Sequence, residues 1–225
     1  MDIPANVFNE DWLIAASFLL FVVLGRALRH ANWVYVREHT HVYLGAIAFA
    51  SVIWLLRAGI GTTLNFHLLG MTVMTLMFGW RLALLAATVI VSIAFWHLDA
   101  GLLAIPLNTL VMGGLPILIT HQLLRWSQQH LPTNIFIFIF VNGFLAAILS
   151  SVAVVLTGSL LLWWTDTFTA HYLQTYYLPF IPLLMFPEGI INGMLVAIAV
   201  VYMPQCIPAF DDARYLRKID DDKPH

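Results

Sequence analysis

Nine consecutive residues, Thr62-Thr63-Leu64-Asn65-Phe66-His67-Leu68-Leu69-Gly70, end a polar approach in one histidine set against an apolar run that continues to Trp80. An ionisable side chain at the mouth of a membrane-buried helix is costly unless it has a partner, which makes His67 a candidate functional residue. Its candidate partner is the start of the chain, Met1-Asp2-Ile3-Pro4. A free α-amine on Met1, the amide nitrogen of Asp2 and the Asp2 carboxylate can close adjacent chelate rings and leave one position for a histidine. Nitrogen and oxygen donors of this kind suit divalent transition metals, with square-planar geometry favouring nickel(II) or copper(II). Pro4 stiffens the segment by fixing its own backbone angle and restricting Ile3. The alternative reading of His67 is an interfacial histidine satisfied by a backbone carbonyl. Position alone leaves both open.

The amine is expected to be retained. The first twelve residues carry Asp2, Glu10 and Asp11 and no lysine or arginine, the opposite of the basic start of a cleavable secretory signal. Aspartate at the second position is also too large for routine removal of the initiator methionine.

The elements that must position these groups are membrane spans. With 61% hydrophobic and 10% charged side chains in 225 residues, the chain has too little polar surface to cover a soluble globule. Apolar runs predict an all-α polytopic bundle with seven spans, over 12–29, 41–58, 62–80, 82–98, 104–124, 134–162 and 180–204. Residues 1–208 read as one transmembrane domain and 209–225 as a short, charged, solvated tail. The third span is uneven, since only Leu68 to Trp80 is truly apolar, so its polar start must be buried in protein. The sixth is long enough to tilt or to break near Gly143 or Gly158. Gly45 with Phe49, Ala46 with Ala50, and Gly189 with Gly193 offer small faces for close helix packing.

Nine of the ten basic residues fall on one side of an alternating seven-span arrangement: Arg26, Arg29, Arg37, Arg81, Arg125, Arg214, Arg217, Lys218 and Lys223, with Arg57 the exception. Basic loops stay cytoplasmic, so the N-terminus is expected outside and the C-terminus inside. Trp12, Trp33, Trp54, Trp80, Trp96, Trp163, Trp164, Tyr176 and Tyr177 read as interfacial anchors. A net charge of -2 and the lack of a long basic run give no reason to expect nucleic acid as a partner. The single cysteine, Cys206, excludes an internal disulfide and any cysteine-built zinc or iron–sulfur site. No phosphate-binding Gly-x-x-x-x-Gly-Lys-Ser/Thr loop is present, so energy for pumping would have to come from another chain.

These stretches together resemble the CbiM/NikM family, the substrate-binding membrane subunits of energy-coupling-factor transporters for cobalt and nickel. Met1-Asp2-Ile3-Pro4 resembles the family's Met-His-Ile-Pro start, and Asn65-Phe66-His67-Leu68-Leu69-Gly70 its Gly-His-Leu-Leu-Gly core. Asp99-Ala100-Gly101-Leu102, then Pro106-Leu107-Asn108-Thr109-Leu110-Val111-Met112-Gly113, resemble its Asp-Gly-Gly-Leu and Ala-Asn-x-x-Asn-Met-Gly stretches. Pro187-Glu188-Gly189-Ile190-Ile191 resembles its Gly-Glu-Gly-Leu-Ile element. The resemblance implies that the N-terminal segment tucks into the bundle and that Met1, Asp2 and His67 coordinate a divalent metal substrate. It also implies a transmembrane coupling subunit, two cytoplasmic ATPases and a small accessory membrane subunit as partners, in a bacterial plasma membrane. Asp2 stands where the family has histidine. A carboxylate oxygen makes the site harder and more negative, weakening a nickel preference and opening the site to cobalt or zinc.

Asn108, at the start of the fifth span, can hold a ligand imidazole or the N-terminal loop by hydrogen bonds, or simply cap a helix. Glu188, inside the seventh span, is expected to pair with Thr62, Thr63 or a backbone amide, with metal relay the second reading. His97, Asp99 and His171 read as solvated loop residues, and His30, His39, His41, His121 and His130 belong to the basic side. A solitary permease, a metal-delivery factor and a membrane enzyme are the competing functions. Against the enzyme, no helix-borne His-Glu-x-x-His set or its reverse occurs.

Overall fold

The computed structural model describes residues 3, 5–60, 64–97, 101–210 and 215. Helix α1 (Glu10–His30) is followed by the short α2 (Trp33–Glu38), which turns the chain into α3 (Thr40–Leu55). A two-stranded antiparallel hairpin follows, β1 (Ala58–Ile60) and β2 (Leu64–Phe66), with Ala58 opposite Phe66 and Ile60 opposite Leu64. The rest is helical: α4 (Met71–His97), α5 (Leu102–His130), α6 (Ile135–Trp164), α7 (Ala170–Tyr176) and α8 (Ile181–Tyr202). Lipid offers backbone groups no partners, so a chain this apolar must satisfy them within helices.

Five helical runs are long and apolar enough to cross a membrane, and α3 is a shorter apolar helix. α4 is two helices joined at a kink, because Gly79 interrupts it with φ 74° and ψ 162°. Before the break, residues 71–78 lie along α3 in the opposite direction: the Trp54 indole donates to Leu69 O, and the Tyr43 ring meets Phe78. After it the chain turns back. Tyr43 Oη donates to Leu82 O at 2.9 Å, and the far end of α4 shares a cavity with Gly101, which touches Ala5. The result is the all-α bundle of about seven helices expected from the apolar runs, five of its helical runs being long enough to cross a membrane. Two boundaries differ. The third crossing does not begin at residue 62, because 64–66 form a strand, and the turn between the third and fourth falls at Gly79. Its backbone conformation is one that only glycine adopts without strain.

α5 and α6 each contain a π-helical stretch, Thr109–Gly114 and Phe138–Leu145. The second holds Gly143, so the long sixth span is perturbed there and runs as regular helix through Gly158. α6 and α8 pack closely through the expected small residues. A Cβ on Gly193 would collide with the Phe144 ring, and one on Gly189 would lie 2.6 Å from Ile148 Cγ1. Gly45, in contrast, faces open space.

The end of the bundle opposite Ala5 is closed by residues 204–210. Tyr35 Oη donates to Cys206 O at 3.2 Å, and the rings of Phe138, Phe210 and Tyr215 form a cluster with centroids 5.0 to 5.2 Å apart. Tyr215, in the segment expected to be solvated, is buried. Burial, with a smaller contribution from Cys206, pushes the Tyr35 phenol up to about 12.

Candidate metal centre

His67 sits at the junction of the hairpin and the third crossing. Strand β2 delivers the chain to it, and Phe66, buried, stacks on Tyr177 at 5.2 Å and on Phe180 at 5.8 Å. His67 itself is 5% exposed. Its ring lies against the indole of Trp54, centroids 4.4 Å apart, and Trp54 Nε1 donates to Leu69 O at 3.0 Å. Trp54 is fully buried, so it is a wall of the site and not the interfacial anchor expected; Tyr177 is likewise buried, while Trp12, Trp33, Trp96, Trp163, Trp164 and Tyr176 are exposed as anchors should be.

The Nδ1 of His67 lies 3.1 Å from Leu68 O. This is the backbone-carbonyl contact of the bland reading, and it is also the contact that fixes a ligand imidazole. A proton held on Nδ1 by a carbonyl makes Nε2 the basic nitrogen.

Residues 67–73 are held from α8. The carboxylate of Glu188 accepts from Leu69 N–H at 2.7 Å through Oε2 and from Gly70 N–H at 2.8 Å through Oε1. Asn192, one turn on, donates from Nδ2 to Glu188 Oε1 at 2.8 Å and to Glu188 O at 2.9 Å, while its Oδ1 accepts from Val73 N–H at 3.1 Å. Both side chains are buried, at 3% and 1% exposure. Three donors on one carboxylate offset the cost of placing it in an apolar bundle. The Val73 bond satisfies one of the amides that a helix start leaves without an intrahelical acceptor. Gly70, at φ 68°, makes the turn that aims both amides at one carboxylate. The expectation that Glu188 pairs with a backbone amide is met; Thr62 and Thr63 lie outside the described residues.

A second clamp holds the N-terminal segment. Asn108, completely buried, accepts from Ile3 N–H through Oδ1 at 2.9 Å and donates from Nδ2 to Ile3 O at 2.8 Å and Ala104 O at 2.9 Å. Its amide thereby mimics a strand partner for one residue of extended chain. Ile3 is 1% exposed and belongs to the same buried cluster as Trp54, Phe66 and Leu69. Of the three roles weighed for Asn108, holding the N-terminal loop is the one seen here. Met1 and Asp2 lie outside the described residues, as does Asp99.

Other residues singled out in the sequence lie elsewhere. His97 ends α4 and His171 lies on α7, both exposed. Arg57, the exception to the charge pattern, donates from Nε to Trp54 O at 3.1 Å, a cation placed at the C-terminal end of α3 where the helix dipole favours it. Among the described residues no three histidine, cysteine, aspartate or glutamate side chains gather where they could hold a metal ion. Asn192 escaped the sequence reading. Its signal was available, two strongly polar residues at i and i+4 on an otherwise apolar helix.

A helical bundle that buries two clamps on irregular backbone, near one end and beside a half-length helix, has the build of a membrane transport protein. The chain belongs to the CbiM family, the cobalt uptake substrate-specific transmembrane region, whose model matches residues 2–206. It is a multi-pass membrane component of transition-metal uptake, and a transport component, not an enzyme. Its fold is similar to the crystal structure of a transition metal transporter, with TM-score 0.69 and 17% identity over 91% of this chain and 93% of that one. A truncated transition metal transporter gives TM-score 0.66 and 17% identity over 91% of this chain and 99% of that one. No curated protein sequence matches the chain.

Proposed function

We propose that this chain is the substrate-binding subunit of an energy-coupling-factor transporter that takes up cobalt or nickel across a bacterial plasma membrane. The metal is coordinated by the Met1 α-amine, the Asp2 amide and carboxylate, and His67. The observation that carries this reading is the Asn108 clamp. By gripping both backbone groups of Ile3 it ties the N-terminal segment into the buried core, of which Trp54 and Leu69, beside His67, are also members. Asp2 and Met1, the two residues before Ile3, are then in reach to supply the carboxylate, the amide and the amine of this reading.

The reading also accounts for the separation of labour in the site. Imidazole and amine nitrogens suit nickel and cobalt alike, and the carboxylate of Asp2 adds a harder donor and a negative charge. Cobalt over nickel, with zinc as competitor, is the order we infer. The N-terminus faces outside and the basic end faces inside, which places the clamped segment where the ion arrives. A transmembrane coupling subunit and cytoplasmic ATPases then supply the work of release.

The test is metal uptake by cells that carry this chain with and without its neighbouring transport genes. Accumulation of labelled cobalt that requires both the chain and an ATPase supports the reading. Uptake that persists when the ATP-binding lysine of every accompanying ATPase is removed would assign a solitary permease instead.

A further inference from the structure

A groove of about 620 Å³ runs along the membrane-facing side of the bundle between α1, α4 and α5. Its floor is Leu84 and Ile117, both buried, and α1 contributes Leu19 and Val23 as one wall. Gly114 opens it, since the absence of a side chain there leaves the space beside α5 unfilled. On α5 the lining extends from Leu110 to His121, about 16 Å at the rise of a helix. That is close to one leaflet of a hydrocarbon core roughly 30 Å thick.

The two ends differ in chemistry. Toward the middle of the bundle the lining is aliphatic, whereas the other end is Trp80 and His121. There the Arg81 guanidinium stands 5.1 Å from the Trp80 ring centroid, and Arg125 lies one turn beyond His121. Both arginines are exposed, and among the described residues neither has a carboxylate partner. A leaflet-length apolar slot that ends in Trp80 and His121, with two exposed arginines beside them in the chain, is complementary to an amphiphile with an anionic head. Basic pockets between membrane helices bind such head groups.

We propose that this groove binds one anionic phospholipid of the surrounding bilayer, its acyl chain along Leu84 and Ile117 and its phosphate on Arg81, Arg125 and His121. The site is separate from His67 and does not depend on the metal reading.

The test is native mass spectrometry of the detergent-purified full chain titrated with phosphatidylglycerol and with phosphatidylcholine of the same acyl chains. One phosphatidylglycerol per chain is expected, bound at least about tenfold more tightly than phosphatidylcholine. Arg81→Gln with Arg125→Gln should lower phosphatidylglycerol affinity by roughly thirtyfold, two surface cations' worth, and leave phosphatidylcholine unchanged. Gly114→Leu, whose new side chain starts in ordinary contact distance of Thr109 O, should reduce both lipids by filling the slot. Glycerol phosphate, which lacks the chains, should not displace the lipid. Equal binding of the two lipids, or unchanged phosphatidylglycerol affinity in the double variant, overturns the proposal. Displacement by glycerol phosphate would reduce the site to a bare anion contact and overturn the acyl groove. Absence of lipid from every form would assign the groove to a transmembrane helix of a partner.

Discussion

The two clamps solve one problem in different ways. Asn108 is neutral, reaches across 105 residues of sequence, and holds a single residue of extended chain by its N–H and its C=O. Glu188 with Asn192 is a pair of side chains, reaches across as many as 119 residues, and holds three amides at the start of a half-length helix. The first can be released without disturbing any helix. The second cannot, because its loss leaves a helix start and a tight turn without acceptors inside an apolar bundle. The difference teaches that the histidine side of the site is built into the fold, whereas the N-terminal side is an attachment to it.

The sharpest way to break this comparison is Glu188→Leu. Two orphaned amides at about 1–3 kcal/mol each predict a loss of about 2–6 kcal/mol. For a chain of this size each kcal/mol corresponds to roughly 2–4 °C, so a melting curve in detergent should fall by about 4–24 °C. A wild-type melting temperature would mean that the carboxylate does not hold the turn. Asn108→Leu should leave the melting curve within a few degrees of wild type while lowering metal affinity about 10–100-fold, the usual cost of removing a group that orients a ligand. Amide exchange localises the change: the Ile3 N–H should lose protection while Leu69 and Gly70 keep theirs. Equal destabilisation by the two substitutions would erase the distinction drawn between the clamps.

Gly79→Ala loosens the half-helix from its other end without touching either clamp. A residue with a Cβ at φ 74° and ψ 162° costs about 1–3 kcal/mol, readable as a modest fall in melting temperature with metal stoichiometry retained. The smallest effect is expected at the closed end of the bundle, remote from both. The unfolded chain loses the Tyr35 proton near 10.0, whereas the folded chain keeps it up to about 12. Stability from this residue is therefore fully present below pH 10 and is lost as pH rises through that window. Tyr35→Phe should flatten the alkaline limb and cost about 1 kcal/mol at neutral pH.

What the sequence disclosed, and what it withheld, divides along the same line. The bundle of about seven helices was legible because apolar runs of membrane length have few alternatives, and His67 because a histidine at the head of such a run is conspicuous. Glu188 was legible as a carboxylate that must be paired, and Asn108 as a side chain able to hold the N-terminal loop. The turn at Gly79 was misplaced by a residue or two because Arg81 and Trp80 look like the interface, while only backbone angles reveal which glycine turns. Trp54 was misread for a related reason: composition places tryptophans at interfaces, and nothing local distinguishes the one that a histidine ring and a distant carbonyl draw inward. Asn192 went unread because its distant partner, Val73, offers only a backbone amide, which every sequence has everywhere.

The central claim is that the free N-terminus and His67 close one metal site. Cobalt and nickel affinity should be measured on the purified protein with its native start and a C-terminal tag, beside a form extended by one residue at the N-terminus and beside His67→Ala. One tightly bound ion in the native form, lost in both others while the melting curve of the extended form is unchanged, is the predicted result. Unaltered affinity in the extended form would remove the α-amine from the ligand set and contradict the account.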